Sequence, residues 1–330
     1  MNQASSVDNK TAATWAKRRK LATCAALGCL FVALVVCVAG SPDLYETMLE
    51  FLSTFQAEPG VSVERDLIYF STPEAGVPAE LHSGDLYLPV NNQVARAAVV
   101  VVHGGSWCAG SKNDLPETIM SRFFSLFGFV VFNINYRTLD HGGQFPADVI
   151  DVKRAVAFLL SNKDRWHIDS QRLVTTGTSS GSYAAMMAAY TPNVKPFAVD
   201  ELPVGSKLKI FAVGSFSGPT DFEKLSANKY LQKYLQKMSG SYAERLKKAS
   251  PITYAKTGVP TFFAHGSEDN NVPLQQSVAM AAALGKEHID CTFVRIEGAG
   301  HFVGGNSRRL VLERMLNFLT RLKSADCLTR

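Results

Sequence analysis

Six cysteines in 330 residues, three of them (Cys24, Cys29 and Cys37) inside one apolar run, are too few and too scattered for a disulfide framework. Internal repeats and low-complexity stretches are missing. Gly and Pro together fill 38 positions and charged residues 19%, which excludes collagen-like and disordered chains. No metal-ligand spacing and no phosphate-binding glycine loop occurs, so neither a metal nor a cofactor is expected. The body of the chain also lacks a charge surplus. The net charge is +5, but Lys10, Lys17, Arg18, Arg19 and Lys20 stand against Asp8 alone in residues 1–20. Residues 21–40 carry no charge, and residues 41–330 hold 29 basic against 28 acidic side chains. Spread over the surface, such a surplus would point to nucleic acid. Concentrated at one end it does not, and no nucleic-acid partner is expected.

What is present at that end is a membrane signal. Leu21 to Ala39 is uncharged and free of Pro. As a helix it would span roughly 28 Å, about one hydrocarbon core. The basic flank before it and the acidic flank after it (Asp43, Glu46) predict a cytosolic N-terminus and residues 41–330 across the membrane. The expected division is a basic tail over 1–20, a transmembrane signal-anchor over 21–39, a stalk over 40–60 and a catalytic domain over 61–330. The lipid bilayer is thus an expected partner through 21–39. Small residues near Val38-Ala39-Gly40 support the alternative of a cleaved signal peptide and a secreted product.

Beyond residue 60, strand-like and helix-like segments alternate. Continuous apolar runs at 97–102, 129–134, 172–176, 209–213, 260–264 and 291–296 read as strands buried on both faces. Helical spacing begins near Pro146 and recurs over 181–190, 274–285 and 308–322. The fold class is α/β: a mostly parallel twisted sheet with helices on both faces. Stretches 61–70 and 80–89 suggest a leading antiparallel hairpin. Segment 222–258 interrupts the alternation with charged helices, and is expected to be either a small cap inserted over one end of the sheet or an ordinary solvated helix pair.

The strand at 172–176 runs into Gly177-Thr178-Ser179-Ser180-Gly181 with a helix after it. This is G-x-S-x-G in its required strand-to-helix setting. A serine hydroxyl needs a base held by a third group. Asp269 follows the strand at 260–264, and His301 follows the strand at 291–296. The candidate catalytic set is therefore Ser179, Asp269 and His301, with Glu268 and then Asp221 as rival acids. His103 and His265 are expected to be structural. After the strand at 97–102, His103-Gly104-Gly105-Ser106-Trp107 offers backbone N–H groups for an oxyanion, together with Ser180.

These motifs resemble those of the α/β-hydrolase fold, in the branch of hormone-sensitive-lipase-like and feruloyl-esterase-like (BD-FAE-like) carboxylesterases. Further matches are Gly84-Asp85-Leu86-Tyr87-Leu88-Pro89, Asn135-Tyr136-Arg137, Phe145-Pro146-Ala147 with Asp151, Ile168-Asp169, Ser250-Pro251-Ile252, and His265-Gly266 through Pro273. The resemblance covers roughly residues 80–320. It implies oxyanion donors at Gly105, Ser106 and Ser180, and ester hydrolysis through an acyl-enzyme. One departure stands out. Many relatives carry an acidic residue before the nucleophile and Ala-Gly-Gly after it, where this chain has Thr178 before Ser179 and Ser180-Gly181-Ser182 after it.

The expected function is a membrane-tethered serine esterase acting on a small-molecule ester, an amphiphilic one if the anchor selects it. The same motifs resemble those of arylformamidases and prenylcysteine methylesterases. A reading of another class is a non-catalytic hydrolase-fold binding protein, although such proteins commonly lose the Ser or the His.

Overall fold

The structure, a computed structural model, describes residues 60–72, 74–90, 94–225 and 229–328. They belong to one unit that runs from residue 56 to the end of the chain. The basic tail, the apolar run at 21–39 and the stalk expected from the sequence lie outside the described residues. Among those described, no helix is long and apolar enough to cross a membrane.

Eight strands form one sheet: β1 (Val61–Ile68), β2 (Ser83–Pro89), β3 (Arg96–Val102), β4 (Val130–Ile134), β5 (Ile168–Thr178), β6 (Ala212–Phe216), β7 (Thr261–Gly266) and β8 (Cys291–Ile296). Their order is β1-β2-β4-β3-β5-β6-β7-β8. β1 pairs antiparallel with β2, and β2 antiparallel with β4; every later pairing is parallel. This is the α/β-hydrolase fold with a leading hairpin. Parallel neighbours need crossovers, and the helices α1 (Leu115–Leu126), α2 (Ala147–Ser161), α3 (Ser180–Tyr190), α6 (Gln275–Lys286) and α7 (Gly305–Leu328) supply or flank them. Two short helices, α4 (Lys229–Leu235) and α5 (Tyr242–Ala249), lie within the 222–258 segment.

Because side chains alternate along a strand, a sheet covered on both faces has two cores. On β3, Ala98, Val100 and Val102 join the core beneath α2 and α3, whereas Val99 and Val101 join the core beneath α1 and α7. All five are buried, which explains the unbroken apolar run.

Two expectations need correction, and one helix is unexpected. The run at 291–296, expected to be buried on both faces, is β8 at the sheet edge, where no residue is fully buried. The strand expected at 209–213 is β6 at Ala212–Phe216. The apolar Ile210 and Phe211 only lead into it. Its middle is Gly214-Ser215, where a Cβ on Gly214 would overlap Met315 of α7 and Thr176 of β5. Close packing demands residues of low strand propensity there. Helix α1 has no counterpart in the sequence expectations. Its apolar residues Phe123 and Phe124 run on through Phe127 and Phe129 into β4, which hides the helical period.

Candidate active site

Ser179 lies between the end of β5 and the first residue of α3, at φ 52° and ψ −120°. Side chains rarely adopt that backbone, which costs about 1–3 kcal/mol and persists only where the surroundings over-determine it. Here they do. The Ser179 N–H donates to the Phe216 carbonyl at 2.8 Å, and the Tyr183 N–H donates to the Ser179 carbonyl at 3.1 Å. A Cβ on Gly177 or Gly181 would overlap the Val102 carbonyl oxygen, so β3 approaches the turn only because both are glycine. Ser182, a departure from the family pattern, bridges the turn to β6: its hydroxyl donates to the Gly177 carbonyl and accepts the Phe216 N–H at 2.8 Å. Ser180 Oγ lies 3.4 Å from the Tyr136 hydroxyl.

The loops after β7 and β8 bring the other two groups in. His301 Nε2 lies 2.9 Å from Ser179 Oγ, and His301 Nδ1 lies 2.7 Å from Asp269 Oδ2. Nδ1 facing a carboxylate carries the proton, which leaves Nε2 free to accept from the serine hydroxyl. Asp269 Oδ1 accepts the N–H groups of Asn271 and Val272 at 2.9 and 2.8 Å. Its Oδ2 also receives His265 Nε2 at 3.2 Å. Burial works to raise the Asp269 pKa, but hydrogen bonds from His265, His301 and the Val272 N–H outweigh it and hold the carboxylate well below its usual range.

The loop after β3 closes over the serine. Gly105, Ser106 and Trp107 are successive residues at positive φ, 116°, 54° and 63°. At Gly104 a Cβ would stand 3.4 Å from Ser179 Cβ, so the loop lies directly against the serine. His103 is buried and stacks on Tyr136 at 4.3 Å. Burial pushes its pKa down to about 4, against a hydrogen bond with the Gly104 carbonyl, so the ring is neutral at pH 7. Trp107 stacks on Tyr234 of α4 at 4.5 Å, and the Tyr234 hydroxyl donates to Asp148 Oδ1 of α2 at 2.6 Å. Burial pushes the Asp148 carboxyl up to about 7 despite that bond.

Two cavities meet at Ser179, His301 and Phe302. The larger, about 490 Å³, is walled by Gly105, Ser106, Trp107 and Ser180 on one side and by Leu225, Tyr230 and Asn270 on others. The smaller, about 30 Å³, is an apolar slot between α1 and α7 lined by Pro116, Met120, Phe216, Val311 and Leu312.

All six residues singled out for chemistry in the sequence therefore line one site: Ser179, Asp269 and His301 through direct hydrogen bonds, and Gly105, Ser106 and Ser180 in the wall of the larger cavity. The rival acids are elsewhere. Glu268 is exposed, and Asp221 caps a short helical turn by accepting the Glu223 N–H. His265, expected only as a structural residue, also donates to Asp269; its spacing of four residues from that acid in a short loop is the signal for the contact. Glu117 of α1, whose Oε1 accepts the Thr178 hydroxyl at 2.5 Å, had no sequence signal, because 61 residues separate the two. Among the described residues no group of His, Cys, Asp and Glu is arranged to hold a metal ion, and Cys108 and Cys291 are free thiols.

The chain resembles known proteins over most of this unit. The model of the BD-FAE family matches residues 84–284. Esterase LipC of Mycobacterium tuberculosis is 28% identical over 214 residues, covering 62% of this chain and 52% of that protein. Esterase LipQ of the same organism is 31% identical over 198 residues, covering 57% and 46%. The chain thus spans about half the length of the curated relatives it matches. Among solved structures, an esterase of Thermogutta terrifontis with propionate bound superposes with a TM-score of 0.65 at 23% identity, covering 80% of this chain and 95% of that one. That likeness extends the shared fold to nearly the whole of the solved chain. With its sheet order, its strained serine turn and a match running from β2 to α6, the chain belongs to the BD-FAE family of α/β-hydrolases.

Proposed function

We propose that this protein is a membrane-tethered serine carboxylesterase that works through an acyl-enzyme. Ser179 Oγ attacks the ester carbonyl carbon while His301 Nε2 takes its proton. Asp269 keeps the imidazole in the right tautomer and stabilises the imidazolium. The N–H groups of Gly105, Ser106 and Ser180 receive the negative charge that forms on the carbonyl oxygen. His301 returns the proton to the alcohol oxygen as the carbon–oxygen bond breaks. Water, activated by the same histidine, then attacks the acyl-enzyme, and the acid leaves with Ser179 restored.

The observation that carries this reading is the unbroken line from Asp269 through His301 to Ser179, at 2.7 and 2.9 Å, opening into a cavity. The relatives LipC and LipQ are named esterases, which points the same way. The cavities narrow the substrate to an ester with one bulky arm and one short apolar arm, since the slot of about 30 Å³ holds about two water-sized groups. Leu225 and Tyr230 in the cavity wall give segment 222–258 the role of a cap over the bulky arm. The tether belongs to the same proposal and rests on the apolar run at 21–39 behind its basic flank.

The test is hydrolysis of a p-nitrophenyl ester series by the full chain. The nitrophenyl group needs the larger cavity, so acyl chains beyond about four carbons are expected to turn over progressively more slowly. Ser179→Ala is expected to abolish turnover. Equal turnover by wild type and Ser179→Ala would contradict the assignment.

A further inference from the structure

The residue before Ser179 is Thr178, and its hydroxyl meets a carboxyl group supplied from another element. Glu117, in the first turn of α1, is 1% exposed, and its Oε1 accepts the hydrogen bond of Thr178 Oγ1 at 2.5 Å. On its other side Thr178 Oγ1 faces the loop after β3, where a Cβ on Gly104 would stand 3.0 Å from it. Carboxyl, hydroxyl and loop backbone thus lie in series behind the serine.

Burying a carboxyl group is costly unless the group is hydrogen-bonded. Burial of Glu117 outweighs the Thr178 bond and pushes its pKa up to about 7, with Asp114 facing it from the start of α1 and Arg308 from α7. A leucine of similar size would avoid that cost on a buried helix face that also carries Met120 and Phe124. The side chain that is there instead grips the last residue of β5, immediately before the strained serine.

We infer that Glu117 is a positioning residue for the nucleophile: through Thr178 it fixes the backbone immediately before Ser179 and holds the serine in the strained positive-φ conformation from which its hydroxyl reaches His301. The inference rests on Ser179 being the nucleophile. Thr178 lines the apolar slot and Glu117 does not, so Glu117 acts through Thr178 and not on bound substrate. Its loss therefore changes kcat and the reactivity of the serine, and leaves KM nearly alone.

Four full-length proteins decide it: wild type, Thr178→Val, Glu117→Ala and Glu117→Gln. Each is compared by kcat and KM on a short-chain p-nitrophenyl ester, by the second-order rate of labelling with a fluorophosphonate, and by thermal melting. Thr178→Val keeps the side-chain shape and removes the hydrogen bond donated to Glu117. It and Glu117→Ala are expected to lower kcat and the labelling rate together by roughly 10- to 100-fold, with KM changed by less than about twofold. Glu117→Gln, whose amide oxygen still accepts from Thr178, is expected to stay within about threefold of wild type. If Glu117→Ala does not fold, Thr178→Val alone decides. Labelling of folded Thr178→Val at the wild-type rate overturns the inference while leaving the Ser179 assignment intact. Failure of folded wild type to label at all overturns the Ser179 assignment, and this inference with it.

Discussion

Asp269 and Asp148 are both buried carboxyl groups near the carboxyl ends of the parallel strands, yet their surroundings drive them in opposite directions. Asp269 receives four donors: two backbone N–H groups and two imidazoles. Asp148 receives the Tyr234 hydroxyl, backed by the N–H groups at the start of its own helix, and its Oδ2 has no hydrogen-bond partner. Burial pushes both upward; at Asp269 the donors win, and at Asp148 burial wins. Asp148 is both the deeper of the two and the poorer in donors, and it is the acid that gives up its charge. The corner that stabilises an imidazolium in the proposed mechanism holds a carboxylate. The root of segment 222–258 holds a carboxyl group that is largely protonated below pH 7.

The comparison can be broken at either acid. The largest effect is expected from Asp269→Asn, which keeps the shape but removes the charge and the tautomer control on His301. It should lower kcat by about 10⁴-fold with the fold intact, read by steady-state kinetics and circular dichroism. A fall of less than about tenfold would mean that the carboxylate is not the histidine's partner in catalysis.

Next comes Asp148→Asn. With a folded pKa of about 7 against an ordinary 3.8, the protonated form of Asp148 favours the native state. That contribution is complete below about pH 4 and is lost as pH rises through about 7. Wild type should therefore weaken relative to Asp148→Asn between pH 4.5 and 8, by up to about 3 kcal/mol, in urea unfolding at both pH values. A constant difference between the two proteins would show that Asp148 ionises as readily as an exposed acid. Tyr234→Phe is a smaller change, since it removes the hydroxyl that serves Asp148 but keeps the ring stacked on Trp107. The expected cost is about 1–2 kcal/mol at pH 7, measured the same way. The smallest effect is expected at His265. Its ring donates to Asp269 at 3.2 Å and to the Val272 carbonyl at 2.8 Å, while Nδ1 faces Ser277 Oγ. His265→Leu, which removes the donor, should lower kcat by about tenfold, and should move the acid limb of the pH–rate profile upward as Asp269 loses one donor. An unchanged acid limb would assign His265 to packing alone.

Much of this was legible in the sequence, because the fold writes itself into local patterns. β3, β4 and β7 appear as apolar runs since both faces of a central strand are covered, whereas β8, at the sheet edge, has no fully buried residue. The serine turn appears because only glycine fits beside Val102 at positions 177 and 181. Asp269 and His301 each follow a strand, so chain order alone placed them at one sheet edge. What stayed hidden depends on distance along the chain. Gly214-Ser215 hides β6 because α7 packs against it from about a hundred residues later. Glu117 gives no signal, because helix α1 itself is not expected from the sequence and the contact with Thr178 spans 61 residues. Tyr234 looks like one tyrosine in a charged segment until it is found stacked beneath Trp107.

The central claim is that Ser179 is the activated nucleophile. The most direct measurement is fluorophosphonate labelling of the full chain, followed by mass spectrometry of its peptides. The account predicts one phosphonyl adduct per chain, on the peptide carrying Ser179, absent from Ser179→Ala and strongly slowed in Asp269→Asn. A folded wild type that stays unmodified, or an adduct that maps to another residue, would contradict it.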